Sequence, residues 1–265
     1  MREKIVAIVL AAGEGKRMGS GIPKQYMIIK SRPMVYYSLK TFQDSDVDEI
    51  VLVTGADEIE YCKKYIVDKY RFTKVKKIVP GGSERYESVH KGLQAIEDAD
   101  YVLIHDGARP MINQKIVFDS IKGAMKYGAC VIGVPAKDTI KISDDDLYAK
   151  ETPPRKTLWI VQTPQSFQFQ LVKRAYEKLI DSGDTSATDD AMAVEQYSGH
   201  KVKLIMGSYD NIKVTTPEDV RISRAFFRTR KVFKVLHDLH DRIIWFQMKL
   251  YLLNKKKHAE HTDQS

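Results

Sequence analysis

Cysteine is scarce in this chain of 265 residues: Cys62 and Cys130 lie far apart and share no partner spacing. That excludes a disulfide framework and a cysteine-based zinc site, and both thiols are expected to be ordinary packing residues. Glycine and proline, 15 and 9 residues, are too few for a collagen-like or low-complexity chain. No apolar run reaches the roughly 18 residues that span a bilayer. The opening Met1-Arg2-Glu3-Lys4 leads into a short apolar run without a small-residue cleavage site. No signal peptide is expected, and a cytoplasmic location is. Acidic residues are deficient in one stretch only. Residues 224–265 hold ten Lys and Arg against four Asp and Glu, so most of the net charge of +8 belongs to that end. The body has no basic stripe interleaved with stacking aromatics, and nucleic acid is not expected as a partner.

What is present fits a globular chain: 43% hydrophobic and 29% charged residues. Short β-rich apolar runs occur at Lys4–Leu10, Glu49–Thr54, Val75–Val79, Tyr101–His105 and Ala129–Val134. Between them lie amphipathic, helix-length segments at Pro33–Phe42, Glu58–Tyr70, Ser83–Ile96 and Lys115–Tyr127. This alternation predicts an α/β fold with a mostly parallel twisted sheet covered on both faces. Ligands in such folds sit beyond the carboxyl ends of the strands. After Pro135 the alternation stops. Residues 137–156 are polar and read as a projecting β-arm, a hairpin with strands near 139–142 and 147–151 and a solvated tip at Asp144–Asp146. Helices are expected at Gln168–Ile180 and Thr188–Gln196, with Asp189 and Asp190 in the first turn of the second. Strands are expected at Lys201–Met206 and Ile212–Thr215. Thr216-Pro217-Glu218-Asp219 is a helix start: a capping hydroxyl, proline in the first turn, then acids at the positive end of the dipole.

The first strand runs into Leu10-Ala11-Ala12-Gly13-Glu14-Gly15-Lys16-Arg17-Met18-Gly19. Small residues there let backbone amides approach a polyphosphate, and Lys16, Arg17 and Lys24 supply compensating charge. The spacings of a P-loop and of a dinucleotide fingerprint both fail. A glycine-rich turn with surface lysines and a polyphosphate cradle both remain open on composition.

The order of motifs is more informative. LAAGEGKRM with PKQY is similar to the nucleotidyltransferases that activate sugars and sugar alcohols. Gly81-Gly82-Ser83-Glu84-Arg85 with Ser88, His105-Asp106-Gly107-Ala108-Arg109-Pro110, Asp138-Thr139-Ile140-Lys141, Arg155 with Leu158-Trp159, Gln162-Thr163-Pro164-Gln165, Asn211-Ile212-Lys213-Val214 and Pro217-Glu218-Asp219 follow. Over about residues 5–222 the chain resembles the 2-C-methyl-D-erythritol 4-phosphate cytidylyltransferase family of the sugar-nucleotidyltransferase superfamily. Gly107 departs from the alanine usual at its position, a small-for-small change.

The resemblance implies a three-layer Rossmann-like nucleotidyltransferase fold over residues 1–222. It implies transfer of CMP from CTP to a polyol phosphate, with release of pyrophosphate, in the non-mevalonate route to isoprenoid precursors. The nucleophile is a phosphate already ionised at neutral pH, so cations and positioning matter more than a general base. The implied roles are these. Arg17 and Lys24 stabilise charge on the pentavalent α-phosphorus. Ala11, Ala12, Gly13 and Gly15 cradle the triphosphate. Gly82 and Ser88 take the cytosine and ribose side. Asp106 holds Mg²⁺, with Asp210 as a second contact. Arg109, Thr139, Arg155, Lys213 and Thr215 engage the polyol phosphate. The arm is expected to cross to a second copy, so that Thr139 and Arg155 complete the partner's site in a homodimer. Taken alone, Asp106 with Arg109 also fits a plain ion pair, Lys213 a solvated lysine, Arg155 loop charge, and His105 a structural residue.

The ribitol 5-phosphate cytidylyltransferases remain the alternative. They share the QTPQ motif, but their Ser-Val pair is absent at Gly107-Ala108, and Pro154-Arg155 and Leu158-Trp159-Ile160-Val161 stand where they have other residues. Residues 223–265 are not accounted for by the resemblance. Val232, Leu236, Leu239, Ile243, Phe246, Leu250 and Leu253 form one helical stripe flanked by basic residues. This extension is expected to pack on the body or a partner subunit, to lie on an anionic membrane, or to dock another protein.

Overall fold

The computed structural model describes residues 2–13 and 23–227. The chain divides into two compact units, Met1–Ser223 and Arg224–Ser265. The amphipathic stripe expected from Val232 onward lies outside the described residues.

The strands are β1 Ile5–Ala11, β2 Ile28–Ile29, β3 Arg32–Pro33, β4 Glu49–Thr54, β5 Val75–Pro80, β6 Tyr101–Asp106, β7 Ala129–Pro135, β8 Ile142–Ser143, β9 Ala149–Glu151, β10 Trp159–Gln168 and β11 Lys203–Met206. The helices are α1 Met34–Gln43, α2 Ile59–Cys62 (continued by a π-helical segment, Lys63–Asp68), α3 Arg85–Gln94, α4 Gln114–Tyr127, α5 Phe169–Ser182 and α6 Asp190–Ser198. Among the described residues, seven strands form one sheet in the order β11-β7-β10-β6-β1-β4-β5. All its pairings are parallel except those of β10, which runs antiparallel between β6 and β7. The expected mostly parallel α/β architecture is therefore present.

Period-2 alternation builds the two faces. Ile5, Ala7 and Val9 of β1 join Ile50 and Leu52 of β4 and Leu103 of β6 on one side, under Val35, Leu39 and Phe42 of α1 and Ile116, Val117 and Ile121 of α4. Val6 and Ile8, with Val51, Val53, Val102 and Ile104, face the other way, under Val89 and Leu93 of α3 and Phe169, Val172 and Tyr176 of α5. Both faces are buried, which is why these strands read as unbroken apolar runs. The chain leaves β1 toward β4 on one side and reaches β6 on the other. The crevice at the carboxyl ends of β1 and β6 is thus the switch point where a ligand fits.

Two expectations need correction. Ile212–Thr215 is not a strand; Val214 makes a single backbone bond, its N–H donating to the Ala108 carbonyl at 2.8 Å. The arm hairpin is shorter than expected, with β8 and β9 holding two and three residues. Its tip is nonetheless a solvated turn, in which the Tyr148 N–H donates to the Asp144 carboxylate at 2.8 Å. The helix start at 216 is present: Asp219 accepts from the N–H groups of Thr215 and Thr216 at 2.8 and 2.9 Å.

Candidate active site

A cleft of about 640 Å³ opens at the ends of β1 and β6. Its wall includes Ala12 and Gly13 after β1, Lys24, the Gly82–Arg85 turn with Ser88 on α3, Asp106 and Ala108, and Lys213 with Thr215. Of the expected site residues, the cleft gathers Ala12, Gly13, Lys24, Gly82, Ser88, Asp106, Lys213 and Thr215. Ala11 does not line it; its side chain is in the core beneath α1. Arg17 and Gly15 lie outside the described residues.

Glycine is sterically required where the walls meet. A Cβ on Gly81 would stand 2.5 Å from the Ala12 Cβ and 2.8 Å from the Ser88 Oγ, and one on Gly82 would stand 2.3 Å from the Glu87 Cβ. Neither position has room for a side chain. The turn is braced by Glu87, whose carboxylate accepts from the Ser83 N–H and hydroxyl at 2.7 and 2.8 Å. The Ser88 hydroxyl accepts from the Gly82 N–H at 3.0 Å and donates to the Glu84 carbonyl at 3.2 Å. Lys24 sits in a 3₁₀ turn, Lys24–Tyr26, anchored by its two followers. Gln25 Nε2 and the Tyr26 hydroxyl both donate to the Glu58 carboxylate, at 3.2 and 2.9 Å. From that turn the Lys24 Nζ lies 3.9 Å from where a Cβ would stand on Gly13.

Asp106 is the electrostatic centre. Lys213 Nζ is 3.0 Å from Oδ2, Arg109 Nε is 3.5 Å from the same oxygen, and Arg85 Nε is 3.3 Å from Oδ1. Burial alone would push this carboxyl up. The three cations, Arg85 first, outweigh it and hold the carboxyl well below the usual carboxylate range. The Asp106–Arg109 ion pair is thus real but belongs to a larger cluster. Arg109 does not line the cleft; it lies behind Asp106 and donates to the Asn211 carbonyl at 2.9 Å.

The QTPQ and NIK motifs act as bracing. The Thr163 hydroxyl accepts from the Asp106 N–H at 3.1 Å and lies 2.9 Å from His105 Nδ1. The same hydroxyl thus ties the Asp106 backbone to the His105 ring, since it can serve two partners at once. Burial pushes the His105 pKa down to about 3, and the ring is fully buried and does not line the cleft. Gln162 Nε2 donates to the Ser208 carbonyl at 2.8 Å, and Asn211 Nδ2 to the Thr163 carbonyl at 2.9 Å. These bonds fasten the segment carrying Lys213 to β10.

Three residues without an expected role complete the cluster. Arg85 uses both terminal nitrogens on the Asp190 carboxylate, each at 2.8 Å, and the Tyr176 hydroxyl donates to Asp190 at 2.5 Å. Asp190 is fully buried, whereas its neighbour Asp189 caps α6, accepting from the Met192 N–H at 2.8 Å. Arg85 and Asp190 are 105 positions apart, and no local pattern joins them.

Thr139 and Arg155, on the arm, are exposed and do not line the cleft of their own chain; Arg155 donates to the Lys137 carbonyl at 3.2 Å. Asp210 does not line it either. Cys62 and Cys130 are buried, and both thiols are free. Among the described residues no three His, Cys, Asp or Glu side chains group around a metal position, and no helix is long and apolar enough to cross a membrane. Among the described residues the cleft wall carries two carboxylates, Asp106 at the end of β6 and Glu84 in the turn before α3. That does not make a protein-only metal cage, but it suits Mg²⁺, which takes one or two carboxylates together with substrate phosphates and water.

The profile of the 2-C-methyl-D-erythritol 4-phosphate cytidylyltransferase family matches residues 5–229. A relative of that name from Lachnospira eligens is 51% identical over 224 residues, 84% of this chain and 98% of its own. Another, from Lachnoclostridium phytofermentans, is 47% identical over 87% of this chain and 99% of its own. The crystal structure of 4-diphosphocytidyl-2C-methyl-D-erythritol synthase from Anaerococcus prevotii is similar with a TM-score of 0.75 at 35% identity, covering 85% of this chain and 96% of that one.

Proposed function

Because the chain belongs to the 2-C-methyl-D-erythritol 4-phosphate cytidylyltransferase family, we propose a division of labour among the side chains of its cleft. The enzyme transfers CMP from CTP to 2-C-methyl-D-erythritol 4-phosphate, giving 4-diphosphocytidyl-2-C-methyl-D-erythritol and pyrophosphate in isoprenoid precursor synthesis. An oxygen of the monoester attacks the α-phosphorus, a new P–O bond forms, and the α–β bridging bond breaks with its electron pair leaving on pyrophosphate. No proton transfer is needed, so charge management is the task of the protein.

The observation that supports the assignment best is the convergence of Lys24, Lys213 and Asp106 on one cleft with the Ala12–Gly13 and Gly82–Ser88 walls. Ala12 and Gly13 offer backbone amides to the triphosphate, and Gly15 is assigned to the same cradle. Gly82 and Ser88 receive the cytosine and ribose. Lys24 and Arg17 stabilise charge on the α-phosphorus and the leaving group. Lys213, drawn off Asp106, receives the incoming phosphate with Thr215, while Arg109 keeps Asp106 oriented. Mg²⁺, held by Asp106 and the substrate phosphates, supplies Lewis-acid neutralisation of the triphosphate when bound.

The finer assignments follow the same chemistry. The enzyme works as a cytoplasmic homodimer in which Thr139 and Arg155 of each arm reach the other cleft. Exposed apolar side chains on the arm, Leu147 and Tyr148 among them, support an arm made to be covered. The C-terminal extension takes no part in the transfer and serves as a packing, membrane or protein contact. The test is pyrophosphate release with CTP and either 2-C-methyl-D-erythritol 4-phosphate or ribitol 5-phosphate, with and without Mg²⁺. Turnover is expected with the first acceptor and Mg²⁺; faster turnover with ribitol 5-phosphate refutes the acceptor assignment.

A further inference from the structure

Arg85 spends its guanidinium in two directions. Both terminal nitrogens grip Asp190, a carboxylate with no solvent exposure, while Nε stays 3.3 Å from Asp106 Oδ1. A buried ion pair is a poor way to stabilise a fold, because desolvating both charges offsets most of their attraction. Its presence on the wall of the cleft calls for another account. Asp190 is itself fixed from behind. Tyr176 donates to it from α5, and the start of α6 is tied to β10 through Gln165, which accepts from the Ala191 N–H at 2.8 Å and donates to Asp189 at 3.1 Å. The guanidinium is therefore held as a planar bridge between a rigid helix start and the carboxylate at the end of β6.

We infer that Arg85, clamped by Asp190, is a positioning residue for the transfer: it occupies one oxygen of Asp106 permanently, while the other, which Arg109 Nε approaches at 3.5 Å, has Lys213 as its nearer and exchangeable partner. The side-chain exposures fit that division. Arg85 is 27% exposed with its fork committed, whereas Lys213, on Oδ2 at 3.0 Å, is 37% exposed and bears a single ammonium on a flexible stem. With Oδ1 neutralised by a cation that cannot leave, Asp106 holds Lys213 less tightly, and an arriving phosphate monoester can draw the ammonium away. Without the clamp, Asp106 keeps Lys213, and the acceptor phosphate is the substrate that suffers. A guanidinium is suited to this bridge because its planar fork addresses two carboxylates at fixed angles, which an ammonium does not.

This inference rests on the cytidylyltransferase reading, and the experiment separates the two. Turnover of the wild-type enzyme with 2-C-methyl-D-erythritol 4-phosphate is measured first; its absence sinks the reading itself. The double substitution Arg85→Met with Asp190→Asn removes both charges while leaving Tyr176 an acceptor. Its melting temperature is expected within a few degrees of wild type. Its kcat/KM for the polyol phosphate is expected to fall at least 20-fold, while the KM for CTP and the Mg²⁺-free affinity for CTP change less than threefold. A folded double variant with wild-type kcat/KM for the polyol phosphate overturns the inference, as does an equal loss for both substrates. Arg85→Lys is the second variant, and it decides the matter if the double variant does not fold. It retains a positive charge but cannot bridge both carboxylates, and it is expected to show the same acceptor-selective defect. Full activity of Arg85→Lys overturns the positioning role.

Discussion

Thr163→Val is the cleanest probe of the bracing behind the cleft. Valine replaces the hydroxyl with a methyl at almost constant volume, and Thr163 is 3% exposed, so water cannot take over the lost bonds. Two partners are left. The Asp106 N–H loses its acceptor at 3.1 Å, and His105 Nδ1 loses its hydrogen-bond partner at 2.9 Å. A buried donor or acceptor stripped of its partner costs about 1–3 kcal/mol, so about 2–6 kcal/mol is expected for the pair. In a unit of this size each kcal/mol moves the melting temperature by roughly 2–4 °C, which places the fall between about 4 and about 24 °C. Thr163→Ser keeps both bonds, forfeits only a methyl, and is expected to lose less than about 1.5 kcal/mol. Thermal unfolding followed by circular dichroism reads all three proteins. If Thr163→Val melts within 2 °C of wild type, or no lower than Thr163→Ser, the QTPQ motif does not brace Asp106 in the way described.

The remaining predictions concern charge and space. Lys24→Ala is expected to lower kcat by about 10²–10³, the scale of losing one charge-stabilising donor, with little change in CTP affinity; an unchanged kcat removes Lys24 from the chemistry. Gly82→Ala puts a Cβ 2.3 Å from the Glu87 Cβ, so the turn before α3 must move; the KM for CTP is expected to rise at least tenfold while the melting temperature falls modestly. His105 is neutral when folded, held down to about 3 by burial, with Asp106 opposing and Arg109 reinforcing the shift. Unfolding lets it take up a proton below about pH 6.5. Stability present above pH 6.5 should therefore decline by up to about 1.4 kcal/mol per pH unit as pH falls toward 3, before Asp106 contributes below about pH 3.9. His105→Asn should flatten the upper part of that curve in denaturant titrations from pH 4.5 to 7.5.

Legibility in the sequence followed burial chemistry. β1, β4, β6 and β7 were readable to within a residue because strands covered on both faces are continuous apolar runs, and the edge strand β5, with Lys76 and Lys77 inside it, was readable from its β-branched residues. β10 was not readable as a strand. Its middle, Gln162 to Gln165, is polar and contains a proline, and the register shifts between Val161 and Gln165. Those side chains are buried because they hydrogen-bond to Ser208, Asn211 and the start of α6, partners that no hydrophobic pattern announces. The same cause misled the reading of Ile212–Thr215, which is held by Asn211 and two isolated backbone bonds and not by a ladder. At the site, Lys24, Gly82, Asp106 and Lys213 could be placed from motif order. Arg85 stood inside a quoted motif, but its role depends on Asp190, and Asp190 looks from the sequence like its neighbour Asp189, a helix-start acid.

The cations around Asp106 divide by how firmly each is held, and that division predicts the result of a substitution that conserves charge. Arg85 is committed to Asp190 and Arg109 to the Asn211 carbonyl, so neither guanidinium is available to follow charge as it moves from the triphosphate to pyrophosphate. Among the described residues, Lys213 and Lys24 are the ammonium groups on the cleft wall. An ammonium on four methylenes can leave one anion for another without breaking a fixed two-bond geometry, whereas a guanidinium that grips a carboxylate with both nitrogens must break both bonds together. Lys213→Arg keeps the charge and reaches Asp106 Oδ2 as well as lysine does, yet it converts the exchangeable cation into a third fixed one. Its expected signature is a stable protein with a kcat at least tenfold below wild type and a KM for the polyol phosphate raised by more than that for CTP, measured by pyrophosphate release at saturating Mg²⁺. A Lys213→Arg enzyme with wild-type turnover means that charge alone suffices at this position, and that Asp106 is not the place from which the acceptor's cation is drawn.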